Sequence, residues 1–401
     1  MSDRRPAPTV SLPSPVQPGD GRDPRPGLAG AALESVLAWM RSRGEPAYRA
    51  RQVADALWRQ HASSVDELRT LPAALRADLA AAWRVDTLVE SSVRPADRGL
   101  TEKALHRLDD GRLVESVLMR YPWRPGRRER ATVCISSQAG CAVGCPFCAT
   151  GELGFGRDLA VAEIVDQVRF WARALAREER HVTNVVFMGM GEPLLNTEAV
   201  VAAATALTDP DRFGLGGRHV TISTSGVIPG IERLTELRPP WTLAVSLHAA
   251  RPALRDVLVP LNRRYPVEEV VAAATAYARA TGRRVSYEYV MIDGVNDTVA
   301  DATAVAALLR GRLVHVNLIP MNPVAHTAWL PSSPARVGAF AEALLAAGIP
   351  TTVRRSRGDE IGAACGQLAA ERAGLPAPPE VQRRRERDAR VGADALAGGR
   401  P

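Results

Sequence analysis

An α/β fold is expected from three observations: an open sheet or a full or partial βα barrel, with a small helical module in front of it. Between residues 131 and 355, strand-like apolar runs alternate with helical ones. Repeated βα units imply parallel strands joined by right-handed crossovers. Residues 28–83 carry helical periodicity alone, and over 87–119 the pattern changes to strands flanking an Asp110-Gly111 pair suited to a tight turn.

Taken in order, residues 1–26 are rich in Pro, Gly and charge and lack the apolar region of a signal peptide, so they read as a disordered tail. The helical module, 27–85, sets Leu33, Val36, Leu37 and Met40 on one face, followed by Val53, Leu57, Leu68, Leu71, Leu75 and Leu79. A β-hairpin linker region, 86–126, pairs strands at 104–108 and 112–119. The basic stretch 120–130, broken by Pro and Gly, reads as a surface loop. The barrel domain, 127–368, has strands expected at 132–136, 184–188, 220–224, 243–247, 285–291, 314–319 and 350–354. Its clearest helix, 159–176, aligns Val161, Ile164, Val165, Val168, Trp171 and Leu175. In either architecture chemistry gathers at the carboxyl ends of the strands. Residues 369–401, rich in Arg, Ala and Pro, read as a frayed or disordered tail. No stretch approaches 18 uninterrupted apolar residues, so a cytoplasmic protein without a membrane partner is expected, acting as a monomer.

The 401 residues include 51 Lys+Arg against 44 Asp+Glu, a net charge of +7. That balance suits a nucleic-acid partner without identifying one. Lys103 is the only lysine, a bias that reads first as a GC-rich genome. Five cysteines, an odd and small number, exclude a disulfide-framework scaffold and leave metal or catalytic use open.

Three of the five, Cys141, Cys145 and Cys148, form a Cys-x3-Cys-x2-Cys loop just after the first barrel strand. Such a loop curls three thiolates around one point and suits iron-sulfur ligation, where a cubane ordinarily takes four protein ligands. An iron without a protein ligand is open to another molecule, as an open position is in catalytic zinc sites. On spacing alone, three structural thiols or a zinc site with a distant fourth ligand stay as alternatives. The nearest histidines, His106 and His181, do not stand at zinc-knuckle spacing.

With the aromatic Phe147 before its last cysteine, this loop resembles the signature of radical S-adenosylmethionine (SAM) enzymes. Six further motifs, in order, are similar to the RlmN/Cfr family of that superfamily: Cys134-Ile-Ser-Ser-Gln-Ala-Gly-Cys141, Gly189-Met-Gly191-Glu192-Pro-Leu-Leu-Asn196, Ser223-Thr-Ser-Gly226, Ser246-Leu-His248, Asn317-Leu-Ile-Pro-Met-Asn322-Pro and the run from Arg357 to Leu368 around Cys365. The resemblance covers about Tyr48 to Leu368. It implies a partial βα barrel, a 4Fe-4S cluster on Cys141, Cys145 and Cys148 with an iron open to SAM, and methylation of adenosine in RNA. For RlmN-type members the target is C2 of an adenosine in 23S rRNA near the peptidyl-transferase centre and of the adenosine 3′ to the anticodon in tRNA.

An adenine C2–H is not nucleophilic, so methyl-cation transfer fails there and a carbon radical is required. The resemblance implies two SAM molecules per turnover. One methylates Cys365; the other yields a 5′-deoxyadenosyl radical that takes hydrogen from that methyl group, and the resulting carbon joins RNA to Cys365. It further implies Glu115 as the base for the C2 proton, and Cys134 as the second thiol that releases product by forming a transient disulfide with Cys365. SAM contacts fall on Gly191, Glu192, Ser223, Ser246, Leu247, His248 and Asn322, with His248 expected to contribute backbone. A flavodoxin-type electron donor is a family-level expectation.

Arg124–Arg130, Arg263, Arg264, Arg354, Arg355 and Arg357 are candidate phosphate contacts, and the target base is expected to leave its stack to reach the site. The helical module resembles the accessory RNA-binding domain of the family. Gly362 and Met321 depart from the Asp and Trp of other members. A Cfr-like enzyme acting at adenine C8 is the alternative within the family, and the helical module with its Arg51-Gln52-Val53 helix looks more RlmN-like. An RNA-binding protein that keeps only a structural cluster is the alternative outside it.

Overall fold

The computed structural model describes residues 23–126, 128–324, 326–354, 357–358 and 361–368. Most of the expected tails, 1–22 and 369–401, and the candidates Arg127 and Arg355 lie outside the described residues. Residues 23–26, the end of the expected first tail, are docked: the backbone N–H of Asp23 donates to Asp109, and Arg84 donates to the Pro26 carbonyl.

Helices α1 (Leu33–Ser42), α2 (Tyr48–Trp58) and α3 (Ala73–Ala82) make up the front module. Val36, Met40, Val53, Leu57, Leu75 and Leu79 are buried, as one-face periodicity requires. The chain then enters the sheet through β1 (Glu90–Ala96), β2 (Thr101–Arg107), β3 (Leu113–Tyr121) and β4 (Arg130–Cys134), paired antiparallel in sequence order. Asp110 and Gly111 sit at the tip between β2 and β3, where expected. β1 escaped the sequence reading because only Ala96 of its seven residues is buried, so no apolar alternation marks it.

Beyond β4 the chain forms a short pair, β5 (Gln138–Gly140) and β6 (Phe155–Asp158), around helix α4 (Ala149–Leu153), and then helix α5 (Val161–Ala176). The βα rhythm continues with β7 (Asn184–Phe187), α6 (Thr197–Thr208), β8 (Val220–Thr224), α7 (Ile228–Leu237), β9 (Thr242–Ser246), α8 (Pro252–Leu258) and α9 (Val267–Thr281). It closes with β10 (Val285–Met291), α10 (Val299–Leu309), β11 (Val314–Pro320), α11 (Pro334–Ala346) and β12 (Thr351–Val353). All seven expected barrel strands are present within two residues of their expected bounds. β4 is antiparallel to β3 and parallel to β7, and every later neighbour is parallel. The order β1-β2-β3-β4-β7-β8-β9-β10-β11-β12 does not close on itself among the described residues, so the barrel is partial. The hairpin strands thus extend the same sheet that carries the barrel.

Two buried arginines hold the parts in register. Arg169 on α5 donates to the carbonyls of Leu57, Ala62 and Val85 and pairs with Asp166, which accepts from the N–H and hydroxyl of Thr87 at 2.9 and 2.7 Å. Arg157 on β6 pairs with Asp110 at the hairpin tip and with both oxygens of Glu163, at 2.7 and 2.8 Å. A guanidinium offers five donors in a fixed fork, which is why arginine can satisfy several elements at once. Among the described residues no helix is long and apolar enough to cross a membrane.

Candidate active site

The ends of β4, β7, β8, β9, β10 and β11 open on one face, where the singled-out residues collect. The cysteine loop is clamped at its base by the β5–β6 pair, and the Cys141 N–H donates to the Gly154 carbonyl at 2.8 Å. Cys148 caps α4. A Cβ on Gly151 would stand 2.9 Å from both the N and O of Cys145, so the loop closes only because this position is glycine. Burial pushes the Cys141 thiol up to about 12 and the Cys148 thiol above its ordinary value. Cys145 is raised well above it by burial and then by the charges of Cys148 and Cys141. Backbone amides of Val143 and Gly144 act against that rise at Cys141, and those of Gly151 and Thr150 at Cys148. Three neighbouring thiols on one loop are donors of the kind that an iron-sulfur cluster takes. Among the described residues no group of three or more His, Cys, Asp or Glu side chains could hold a metal ion as they stand.

Around this loop the predicted cofactor contacts line up at successive strand ends. Gly191 follows β7 with φ +100, and a Cβ there would lie 2.5 Å from Gln138, whose side-chain oxygen accepts from the Glu192 N–H at 2.8 Å. The Glu192 carboxylate is buried and accepts from the Ser225 N–H and hydroxyl at 2.6 and 2.7 Å and from the Leu194 N–H at 3.0 Å. Desolvation still raises its pKa. Ser223 is buried on β8, and Ser246 ends β9. His248 has φ +60; its Nδ1 accepts the Val290 N–H at 3.0 Å, which puts its proton on Nε2. Burial lowers its pKa to about 3, so the ring is neutral, packed edge-on against Phe147.

Sequence reasoning missed the residue that binds two of these ends together. Arg255, fully buried on α8, donates to the carbonyls of Leu247 at 3.0 Å, Ser246 at 3.1 Å and Ser225 at 2.8 Å, and to Asn262. Nothing local in sequence separates it from a surface arginine of an amphipathic helix.

Cys365 is brought to the same place by a docked C-terminal segment. Arg357 donates to the Arg120 carbonyl, Gly358 N–H to Asp97, and Asn322 Nδ2 to the Cys365 carbonyl, at 2.9, 3.0 and 2.9 Å. On the other side, Ala149 N–H donates to the Gly366 carbonyl at 2.7 Å and the Thr150 hydroxyl to the Leu368 carbonyl at 2.6 Å, so the segment lies over the cysteine loop. The Cys365 residue is exposed, while desolvation by the protein around its sulfur pushes the thiol up to about 11, with charges on Cys148 and Glu288 adding. Cys134, buried at the end of β4, rises to about 12 through burial and the Cys365 charge. Both are free thiols in this structure. Glu115 is buried on β3, 2.9 Å from Lys103 Nζ, and its carbonyl accepts from the Ser136 hydroxyl at 2.6 Å.

The candidate phosphate contacts are scattered. Arg130 and Arg357 both lie over the Tyr121 ring, at 4.1 and 4.2 Å from its centroid. Arg124, Arg128, Arg263 and Arg264 are exposed, and Arg354 faces Glu288 at 3.6 Å.

Comparison with known proteins adds three findings. Residues 135–304 match the Radical SAM superfamily. The chain is 53% identical to a probable dual-specificity RNA methyltransferase RlmN of Frankia alni, over 82% of this chain and 80% of that one. It is 49% identical to the protein of the same description from Parafrankia sp., over 89% and 94%. A crystal structure of a radical SAM methyltransferase from Sphaerobacter thermophilus superposes with a TM-score of 0.83 at 46% identity, covering 86% of this chain and all of that one.

Proposed function

The chain belongs to the RlmN family of radical SAM RNA methyltransferases, and from this premise we propose that it methylates C2 of adenosine in 23S rRNA and in tRNA through Cys365. The family implies a 4Fe-4S cluster and SAM. Cys141, Cys145 and Cys148 would hold the cluster, and Gly191, Glu192, Ser223, Ser246, Leu247, His248 and Asn322 would surround SAM. The buried Glu192 carboxylate, held in place by Ser225 and Leu194, would pair with the SAM ammonium. His248, neutral and anchored through Nδ1, offers its main chain and the Nε2 proton. When bound, these groups supply a carbon radical that can take hydrogen from a methyl group.

The observation that carries the reading is the strapping of the Cys365 segment over the cysteine loop, with the Cys365 charge felt at the Cys134 thiol. Cys365 carries the methyl carbon and holds the RNA base through it. Glu115 accepts the C2 proton. Cys134 then gives up its proton and attacks the Cys365 sulfur: the S–H and S–C bonds break, the S–S bond forms, and the S–C electron pair goes to the carbon, which takes up a proton to become the methyl group. A dithiol reductant returns both cysteines, and a flavodoxin-type protein is the proposed electron donor.

Nucleoside mass spectrometry after reaction of the reconstituted protein with 23S rRNA and tRNA tests this. The expected product is 2-methyladenosine in both RNAs. 8-Methyladenosine would instead establish C8 chemistry, and full methylation by Cys365→Ala would overturn the covalent route.

A further inference from the structure

We propose that Lys103, the chain's single lysine, is a positioning residue that supplies the buried counter-charge for Glu115, aims its carboxylate, and ties it to the segment carrying Cys365. The inference rests on Glu115 as the proton acceptor. In the β2–β3 register Leu105 faces Glu115 and Lys103 faces Val117, so Lys103 and Glu115 are diagonal neighbours on one side of the pair. Lys103 Nζ lies 2.9 Å from Glu115 Oε1, with the two side chains 8% and 1% exposed. A carboxylate so buried is costly without a paired cation.

The same ammonium is 3.5 Å from the carbonyl of Gly362, three residues before Cys365. An ammonium has three donors and no acceptor, so it can hold both groups at once. Lys103 therefore couples the position of the base to the position of the thiol that presents the substrate carbon. In the proton step the adduct's unpaired electron leaves to a one-electron acceptor of the iron-sulfur or flavin class, the C2–H bond breaks, its electron pair restores the aromatic purine ring, and the proton moves to a Glu115 oxygen. Lys103 touches neither substrate nor the reacting carbon; it sets where that oxygen stands.

The test is Lys103→Met and Lys103→Arg in the reconstituted full chain, with Glu115→Gln alongside. Lys103→Met is expected to keep methylation of Cys365, seen by intact mass, while kcat falls roughly 10- to 100-fold at unchanged KM. The covalent protein–RNA adduct should accumulate, and Lys103→Arg should recover most of the turnover. A second readout needs no activity: in cluster-free protein, the Lys103→Met/Glu115→Gln pair should be more stable than Lys103→Met alone, because the single change strands a buried carboxylate. Should Lys103→Met not fold, Lys103→Gln carries the same readouts. Wild-type turnover by Lys103→Met, or equal loss of Cys365 methylation and adduct, overturns the inference. If Glu115→Gln stalls with adduct while Lys103→Met turns over normally, Lys103 alone is misassigned. Normal turnover by Glu115→Gln overturns the base assignment and this inference with it.

Discussion

The side-chain amide of Asn322, just beyond β11, donates to the backbone carbonyl of Cys365 across 2.9 Å. A second bond runs beside it, from Gln367 Nε2 to the Pro323 carbonyl, also at 2.9 Å. The segment that presents the Cys365 thiol is thus stitched to a strand end of the barrel, and its reach is set by the sheet.

Asn322→Ala removes one of these stitches. A net hydrogen bond of about 1 kcal/mol predicts roughly fivefold faster amide exchange over residues 361–368. Hydrogen-exchange mass spectrometry reads this directly, and unchanged protection there would show that the Cys365 segment is held by its other contacts.

Gly151→Ala places a methyl group 2.9 Å from the Cys145 backbone, where the loop has no room to yield. The expected result is a protein that folds, because the change lies outside the barrel core, yet binds well under half the wild-type iron on reconstitution. Iron and sulfide assay together with the visible absorbance of the cluster checks it.

Arg255→Met leaves the carbonyls of Ser225, Ser246 and Leu247 without their shared donor. Loss of the donor from a buried polar network predicts about 3–5 kcal/mol of destabilisation. Arg255→Lys should lose less, since an ammonium reaches some but not all of these acceptors. Urea denaturation gives the stability, and SAM binding should weaken in parallel because the ends of β8 and β9 lose their common anchor.

His106 carries an acid sensitivity that the buried His248 shares. It is fully buried between the hydroxyls of Ser91 and Ser116, each 2.7 Å from a ring nitrogen, and burial lowers its pKa to about 3. A base whose folded pKa is depressed contributes stability that is complete above its ordinary value of 6.5 and is lost as pH falls through the folded value. The melting temperature should therefore decline from about pH 6.5 towards pH 3, and His106→Gln should flatten that decline. A mutant whose pH profile matches the wild type would remove His106 as its source.

The barrel strands were legible because parallel strands are covered on both faces and read as apolar runs; Leu243, Ala244 and Val245 of β9 are fully buried. β1 was not legible, since its exposed residues carry no alternation. β5 and β6 were not legible, since Gln-Ala-Gly and Phe-Gly-Arg-Asp hold no apolar run. The thiol loop was legible as spacing because its three cysteines lie within eight residues of one another.

Chemistry written in local order, such as Cys141, Cys145 and Cys148 after a strand, was thus determined by the sequence itself, as was the alternation that builds the partial barrel. Tertiary structure alone decided which distant groups meet. Lys103 is 12 positions from Glu115 and 259 from Gly362, and only the β2–β3 register and the docked C-terminal segment bring the three together. Arg255 likewise became an anchor only when folding buried it. The physical reason is the same in both cases: a charge is ordinary in water and becomes decisive once burial removes the solvent and leaves a few fixed partners to satisfy it.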